Sequence, residues 1–143
     1  MEKEKYLKEE MVEERVREYL EKKGWTMTND PRLVGQHDWD IRAWHPKWRK
    51  IMLVEAKGDG KYKNQTKHGA FYMMLGQVLA RMDIRGNSIN CARTYALAIP
   101  KHWEKTFKYK IKQMEFGWNL LKLNIFLVDE KEVAKKTYRQ FIK

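Results

Sequence analysis

The chain has a single cysteine, Cys91, and only three prolines in 143 residues. One thiol cannot build an internal disulfide framework or a cysteine-cluster zinc site, and it fits a reducing compartment. The four histidines show no His-Glu-x-x-His spacing, so no zinc site is supported. No apolar stretch approaches the ~18 residues of a membrane span, and Met1-Glu2-Lys3-Glu4-Lys5 lacks the apolar run of a secretory signal. A soluble, cytoplasmic protein with no membrane partner is expected. Gly58-Asp59-Gly60-Lys61 does not have the spacing of a phosphate-cradling loop, so no nucleotide is assigned to it.

Acidic residues are outnumbered: 19 Asp and Glu face 30 Lys and Arg, a net charge of +11. The excess is uneven. Residues 1–30 carry 7 basic and 9 acidic groups, residues 31–100 carry 12 and 5, and residues 101–143 carry 11 and 5. Basicity therefore begins after the first predicted helix. Such a field favours a polyanion, nucleic acid before an anionic membrane surface, through counterion release and steering. What the chain does have is core material, with 43% hydrophobic and 13% aromatic residues. At this length the expectation is one globular domain over 1–143.

Periodicity gives the elements. Leu7, Met11, Val12, Val16, Tyr19 and Leu20 stand at helical spacing and Gly24 follows as a C-cap. Trp25–Thr28 reads as a short strand. Asp38–Trp44 and Lys50–Lys57, separated by His45-Pro46-Lys47-Trp48-Arg49, read as a hairpin with a basic loop. Gly58–Lys67 is polar and predicts an exposed loop. A second helix is predicted from about Gly69 to Arg85, a buried strand over Tyr95–Pro100, and a third helix through Trp103, Phe107, Ile111, Met114, Trp118 and Leu121 that breaks near Gly117. Ile125–Val128 predicts a last strand, and Val133, Thr137, Tyr138 and Phe141 a closing helix. The order α-β-β-β-α-β-α-β-α is that of an α/β fold, a mixed sheet with helices on its faces.

Carboxylates in apolar strands are destabilising unless paired or metal-bound, and two stand out: Asp40 beside Trp39 and Ile41, and Glu55 between Val54 and Ala56. Period-two alternation puts Glu55 and Lys57 on one side of a strand and Asp38 and Asp40 on one side of its hairpin neighbour. Adjacent strands can then offer hard oxygen ligands to Mg²⁺, with a lysine beside them. A strand-edge Glu55–Lys57 salt bridge is the bland alternative. Lys47, Arg49 and Lys50 on the hairpin and Lys61, Lys63 and Lys67 after it are candidate nucleic-acid contacts, with Trp48 placed to touch a backbone or base.

Asp40, the Glu55-Ala56-Lys57 triplet fifteen residues on, Gln77 in the second helix and the surrounding element order together resemble the PD-(D/E)XK nucleases, the restriction-endonuclease-like fold of Holliday-junction resolvases and RecB-type nuclease domains. The resemblance spans nearly the whole chain. It implies that Asp40 and Glu55 bind Mg²⁺, for which Mn²⁺ would substitute, with the Ala56 carbonyl as a further ligand. Lys57 would position the attacking water, and the product would carry a 5′-phosphate. In Glu13-x-x-Val16-x-x-Tyr19-Leu20-x-x-x-Gly24-Trp25 the first helix is similar to one that donates a Glu in this family, which makes Glu13 the candidate and Glu10 or Glu14 the alternatives. Gln77 resembles a glutamine that several branches place beside the site. Trp39 stands where the family pattern has proline, and Asp38 is a second acid on the same strand face. The function so implied is a metal-dependent endonuclease acting on DNA, structure-selective or weakly sequence-specific. A homodimer is expected as the commonest way to cut both strands. A non-catalytic DNA- or RNA-binding module on the same fold is the other reading.

Overall fold

A computed structural model of the chain describes residues 6–30, 38–60, 63–82 and 92–143, with the backbone alone over 63–68. Helix α1 (Glu9–Lys22) buries Val12, Val16 and Leu20. Gly24, at φ +93°, turns the chain directly into β1 (Thr26–Met27). Strands β2 (Ile41–His45) and β3 (Lys50–Ala56) form the expected hairpin, antiparallel with Ile41 opposite Val54. Helix α2 (Lys63–Arg81) crosses over to β4 (Ala92–Pro100), which lies parallel to β3. A 3₁₀ turn (Lys101–Trp103) then opens α3 (Glu104–Gln113) and α4 (Glu115–Leu121), and β5 (Asn124–Val128) returns parallel to β4. Strand β6 (Val133–Lys136) pairs antiparallel with β5, and α5 (Tyr138–Phe141) follows.

The result is an open six-stranded mixed sheet in the order β1-β2-β3-β4-β5-β6, flanked by helices, hence α/β. Alternation along the strands divides the core. Met52, Val54 and Ala56 of β3 face the cluster of α1, whereas Ile51 and Leu53 face the cluster that holds Phe71, Met74 and Val78 of α2 and Trp103, Phe107 and Ile111 around α3. Among the described residues no helix is long and apolar enough to cross a membrane.

Three expectations need correction. The loop predicted over Gly58–Lys67 is helical from Lys63 onward, and its first residues are not exposed: Gly58 and Asp59 are buried. The third helix breaks at Met114, whose backbone leaves the helical region (φ −128°, ψ 37°), rather than at Gly117. Val133–Lys136 is a strand, so the closing helix shrinks to Tyr138–Phe141. The Asp129 carboxylate accepts the backbone N–H groups of Lys131 and Glu132 at 2.7 Å and turns the chain back onto β5. A tight turn with a free sheet edge beside it overrides the helix preference of Ala134, Lys135 and Lys136.

Candidate metal centre

The carboxyl ends of β3 and β4 meet the start of β2 and the first turns of α1. Continuing the β2–β3 register one residue beyond Ile41–Val54 sets Asp40 across from Glu55. The Asp40 carboxylate accepts the Ala56 N–H at 2.8 Å, and its backbone carbonyl accepts from the Arg17 guanidinium at 2.8 Å, so both α1 and β3 fix it. Asp38 points away, with its side chain 96% exposed and 3.9 Å from Arg42. Of the two aspartates, Asp40 alone joins the other acids.

Glu9, Glu13 and Arg17 are half-buried at i, i+4 and i+8 of α1, while Glu10 and Glu14 are exposed. That stripe leans over Asp40. One carboxylate oxygen each from Glu9, Glu13 and Asp40 lies within 4.8 Å of the other two. Opposite ligands of an octahedral Mg²⁺ stand about 4.2 Å apart, so small side-chain rotations would close the group on the ion. Glu55 is in contact with Asp40 from the other side. Its side chain is only 3% exposed and is held by Arg81 at 2.6 Å. Burial first, then the Asp40 carboxylate, raise Glu55 to about 7, against the pull of Arg81 and Lys57. Glu13 is also raised, by burial and then by Asp40. Four crowded acids, two of them held above their ordinary range, are a donor set that suits a hard divalent cation.

Lys57 sits just beyond β3, its ammonium 3.5 Å from Glu9. Gln77 lies one helical turn before Arg81 on α2, half-buried, with its side-chain oxygen buried and without a hydrogen-bond partner among the described residues. Ala56 is buried within β3. Asp40, Glu55, Lys57 and Glu13 are thus gathered at one end of the sheet, and Gln77 stands on α2 one turn from the Arg81 that holds Glu55. Lys47, Trp48, Arg49 and Lys50 are exposed, but they occupy the hairpin turn at the opposite end of β3, roughly 17 Å from Glu55 along the strand. There Trp48 stacks on His45 at 4.0 Å. Lys61 and the side chains of Lys63 and Lys67 lie outside the described residues.

Sequence reasoning missed three participants. Glu9 was legible in principle, because it stands at i−4 from Glu13. Arg81 carried no local signal at all. Asp59, in a segment expected to be exposed, is buried and accepts the Leu7 N–H, the Trp103 indole N–H and a His102 contact at 2.8–2.9 Å, while its own N–H returns to the Leu7 carbonyl. This clasp seats the start of α1, and with it Glu9, against the residue after Lys57. Gly58 is required there, since a Cβ would run into the backbone of Lys8 and Glu9.

No protein-family model matches the chain, nor does any curated protein. Among solved structures it is similar to an XisH family protein from Nostoc punctiforme, 23% identical over 88% of this chain and 97% of that one, with a TM-score of 0.56. It is also similar to an fdxN element excision controlling factor protein from Anabaena variabilis, 20% identical over 89% and 97%, with a TM-score of 0.47. The first of these likenesses, at 23% identity, is one of fold.

Proposed function

We propose that the chain is a Mg²⁺-dependent nuclease of the restriction-endonuclease-like kind that hydrolyses DNA phosphodiester bonds. The observation that carries this reading is the convergence of Glu9, Glu13 and Asp40 oxygens within 4.8 Å beside Glu55 and Lys57. Glu9, Glu13 and Asp40 would hold the ion, with Glu55 joining them once Arg81 is drawn to a phosphate. Bound Mg²⁺ would supply charge neutralisation and an acidified water. Lys57 would donate to the attacking oxygen or to the charge that develops on the phosphate, and Arg81 would contribute a second cation there. Gln77, with its amide one turn from Arg81, would orient the same phosphate. Mn²⁺ would replace Mg²⁺. A cytoplasmic homodimer would pair two such sites for double-strand cutting.

Incubating the protein with a panel of labelled DNA flaps, nicks, junctions and blunt ends in Mg²⁺, Mn²⁺ and EDTA tests the reading. Cleavage in both metals and none in EDTA is expected, with Lys57→Ala lowering turnover by orders of magnitude and leaving DNA affinity nearly unchanged. Metal-independent cleavage, or none on any substrate, would overturn it.

The second reading, a non-catalytic DNA- or RNA-binding module, is favoured by the ion pairs Glu55–Arg81 and Lys57–Glu9, which satisfy the same groups internally. Calorimetric titration with Mg²⁺ separates the two. A site abolished by Asp40→Ala belongs to the nuclease, and no site at all belongs to the binder.

A further inference from the structure

A second basic surface of the described residues lies away from the hairpin turn. Helix α3 carries Lys105, Lys108, Lys110 and Lys112 in ten residues, against one acid, Glu104, which faces Lys136 at 3.8 Å. Its apolar stripe, Phe107 and Ile111, is fully buried, and its other faces carry the four lysines, Lys105 and Lys112 exposed and Lys108 and Lys110 half-buried, with one aromatic ring at the crest: Tyr109, 68% exposed. On the flank toward α2, the Lys110 ammonium stands 4.6 Å from the centre of the Tyr72 ring, which is itself 61% exposed. On the other flank Lys108 extends over Phe141.

A lysine face alone fits any polyanion. Large exposed rings interleaved with the lysines narrow the choice, because a projecting ring face is matched by an unstacked base, whereas a duplex offers only the edges of its bases in the grooves. The position of α3 adds a direction. The helix opens immediately after Trp103, whose indole is bonded to Asp59, two residues past Lys57. A strand laid along α3 therefore ends at the carboxylate end of the sheet.

We infer that the α2–α3 ridge, through Tyr72, Lys105, Lys108, Tyr109, Lys110 and Lys112, is a binding platform for single-stranded DNA. The choice of DNA rests on the nuclease reading above. The ridge itself does not depend on metal chemistry, because binding can be read where no cleavage occurs.

The test is fluorescence anisotropy in EDTA with labelled oligo-dT, a duplex of equal length and oligo-U, over a series of salt concentrations. Oligo-dT is expected to bind more tightly than the duplex. Tyr109→Ala should weaken oligo-dT binding about 5- to 150-fold, the range of one lost base stack, and Tyr109→Phe should restore it. Replacing Lys105, Lys108 and Lys112 together by Ala should lower the log–log salt slope by about 2. Lys105, Tyr109 and Lys112 are exposed and Lys108 is half-buried over Phe141, and thermal melts of each variant check that the fold is kept. Preference for duplex, tighter binding of oligo-U, an unchanged affinity in Tyr109→Ala, or an unchanged slope in the lysine variant would each overturn the platform. Any of these would leave the Mg²⁺ site untouched. Conversely, a protein that binds oligo-dT as described but cleaves nothing in Mg²⁺ would refute the nuclease reading and keep the ridge.

Discussion

Glu55 and Glu13 are acids whose protons the folded state holds more firmly than the unfolded chain does, Glu55 up to about 7 from an ordinary value of 4.5. For a raised acid the stability contribution is full below the unfolded value and is lost as pH rises through the folded one. Without metal, the melting temperature should therefore decline between about pH 4.5 and 7, and Glu55→Gln should flatten much of that decline. The sign should reverse with Mg²⁺, because the ion favours the ionised carboxylates and would raise Tm most at the upper end of the range. Thermal melts across pH in EDTA and in Mg²⁺ check both parts, and a wild-type curve that rises with pH in EDTA would contradict the argument. The two aspartates give a second prediction at this scale. Asp40→Asn removes charge from the oxygen cluster and should eliminate cleavage, while Asp38→Asn, altering an exposed group, should leave a Mg²⁺-saturable rate. Gel assays across a Mg²⁺ series would show the ranking.

Helix α1 supplies two of the acids, and how it is seated decides whether they reach Asp40. Gly58→Ala places a methyl group against the Lys8 and Glu9 backbone, so the first turn of α1 must shift. A loss of about 1–3 kcal/mol in stability is expected from such overpacking, with a larger proportional loss in Mg²⁺ affinity than Ala substitution causes at the uncrowded Gly69. Denaturant unfolding and calorimetry on the two variants would show the difference. The elements differ in how openly the sequence announced them. The β2–β3 hairpin and β4 and β5 were legible because their apolar runs are dense in β-branched and aromatic residues and are bounded by turn formers. Asp40, Glu55 and Lys57 were legible for the same reason, as charges standing inside such runs. The start of α2 at Lys63 was hidden because its first turns have no apolar periodicity, and β6 was hidden because edge pairing, not propensity, makes it a strand. Glu9 and Arg81 join the site only through tertiary packing, which no local pattern encodes.

Across the whole molecule, an acidic cluster is set in a chain of net charge +11. A basic surface favours polyanions while clustered carboxylates repel phosphates until a cation neutralises them, so on the proposed function DNA and metal should favour each other's binding. The two ends of the sheet also have different characters. The parallel strands β3, β4 and β5 all point their carboxyl ends toward the end of the sheet that holds the site, while the hairpin turn with Trp48 lies at the far end. If the protein works as a C2 dimer, sedimentation equilibrium should give twice the 17.4 kDa chain mass at micromolar concentration. A monomer that nicks one strand at a time would show the single mass and accumulate nicked circles from a supercoiled plasmid.

The Asp59 clasp has a kinetic consequence. Its bonds join residues 52 positions apart at Leu7 and 44 apart at Trp103, so each closes a long chain loop that must be drawn together before the bond rewards it. Such contacts form late, once the sheet has brought its strands into register. The acids of α1 should therefore meet Asp40 only near the end of folding, so a newly made or half-folded chain would not yet have brought these carboxylates together. Weakening the clasp with Asp59→Asn should accelerate unfolding while leaving the refolding rate nearly unchanged, which the two arms of a chevron plot would separate.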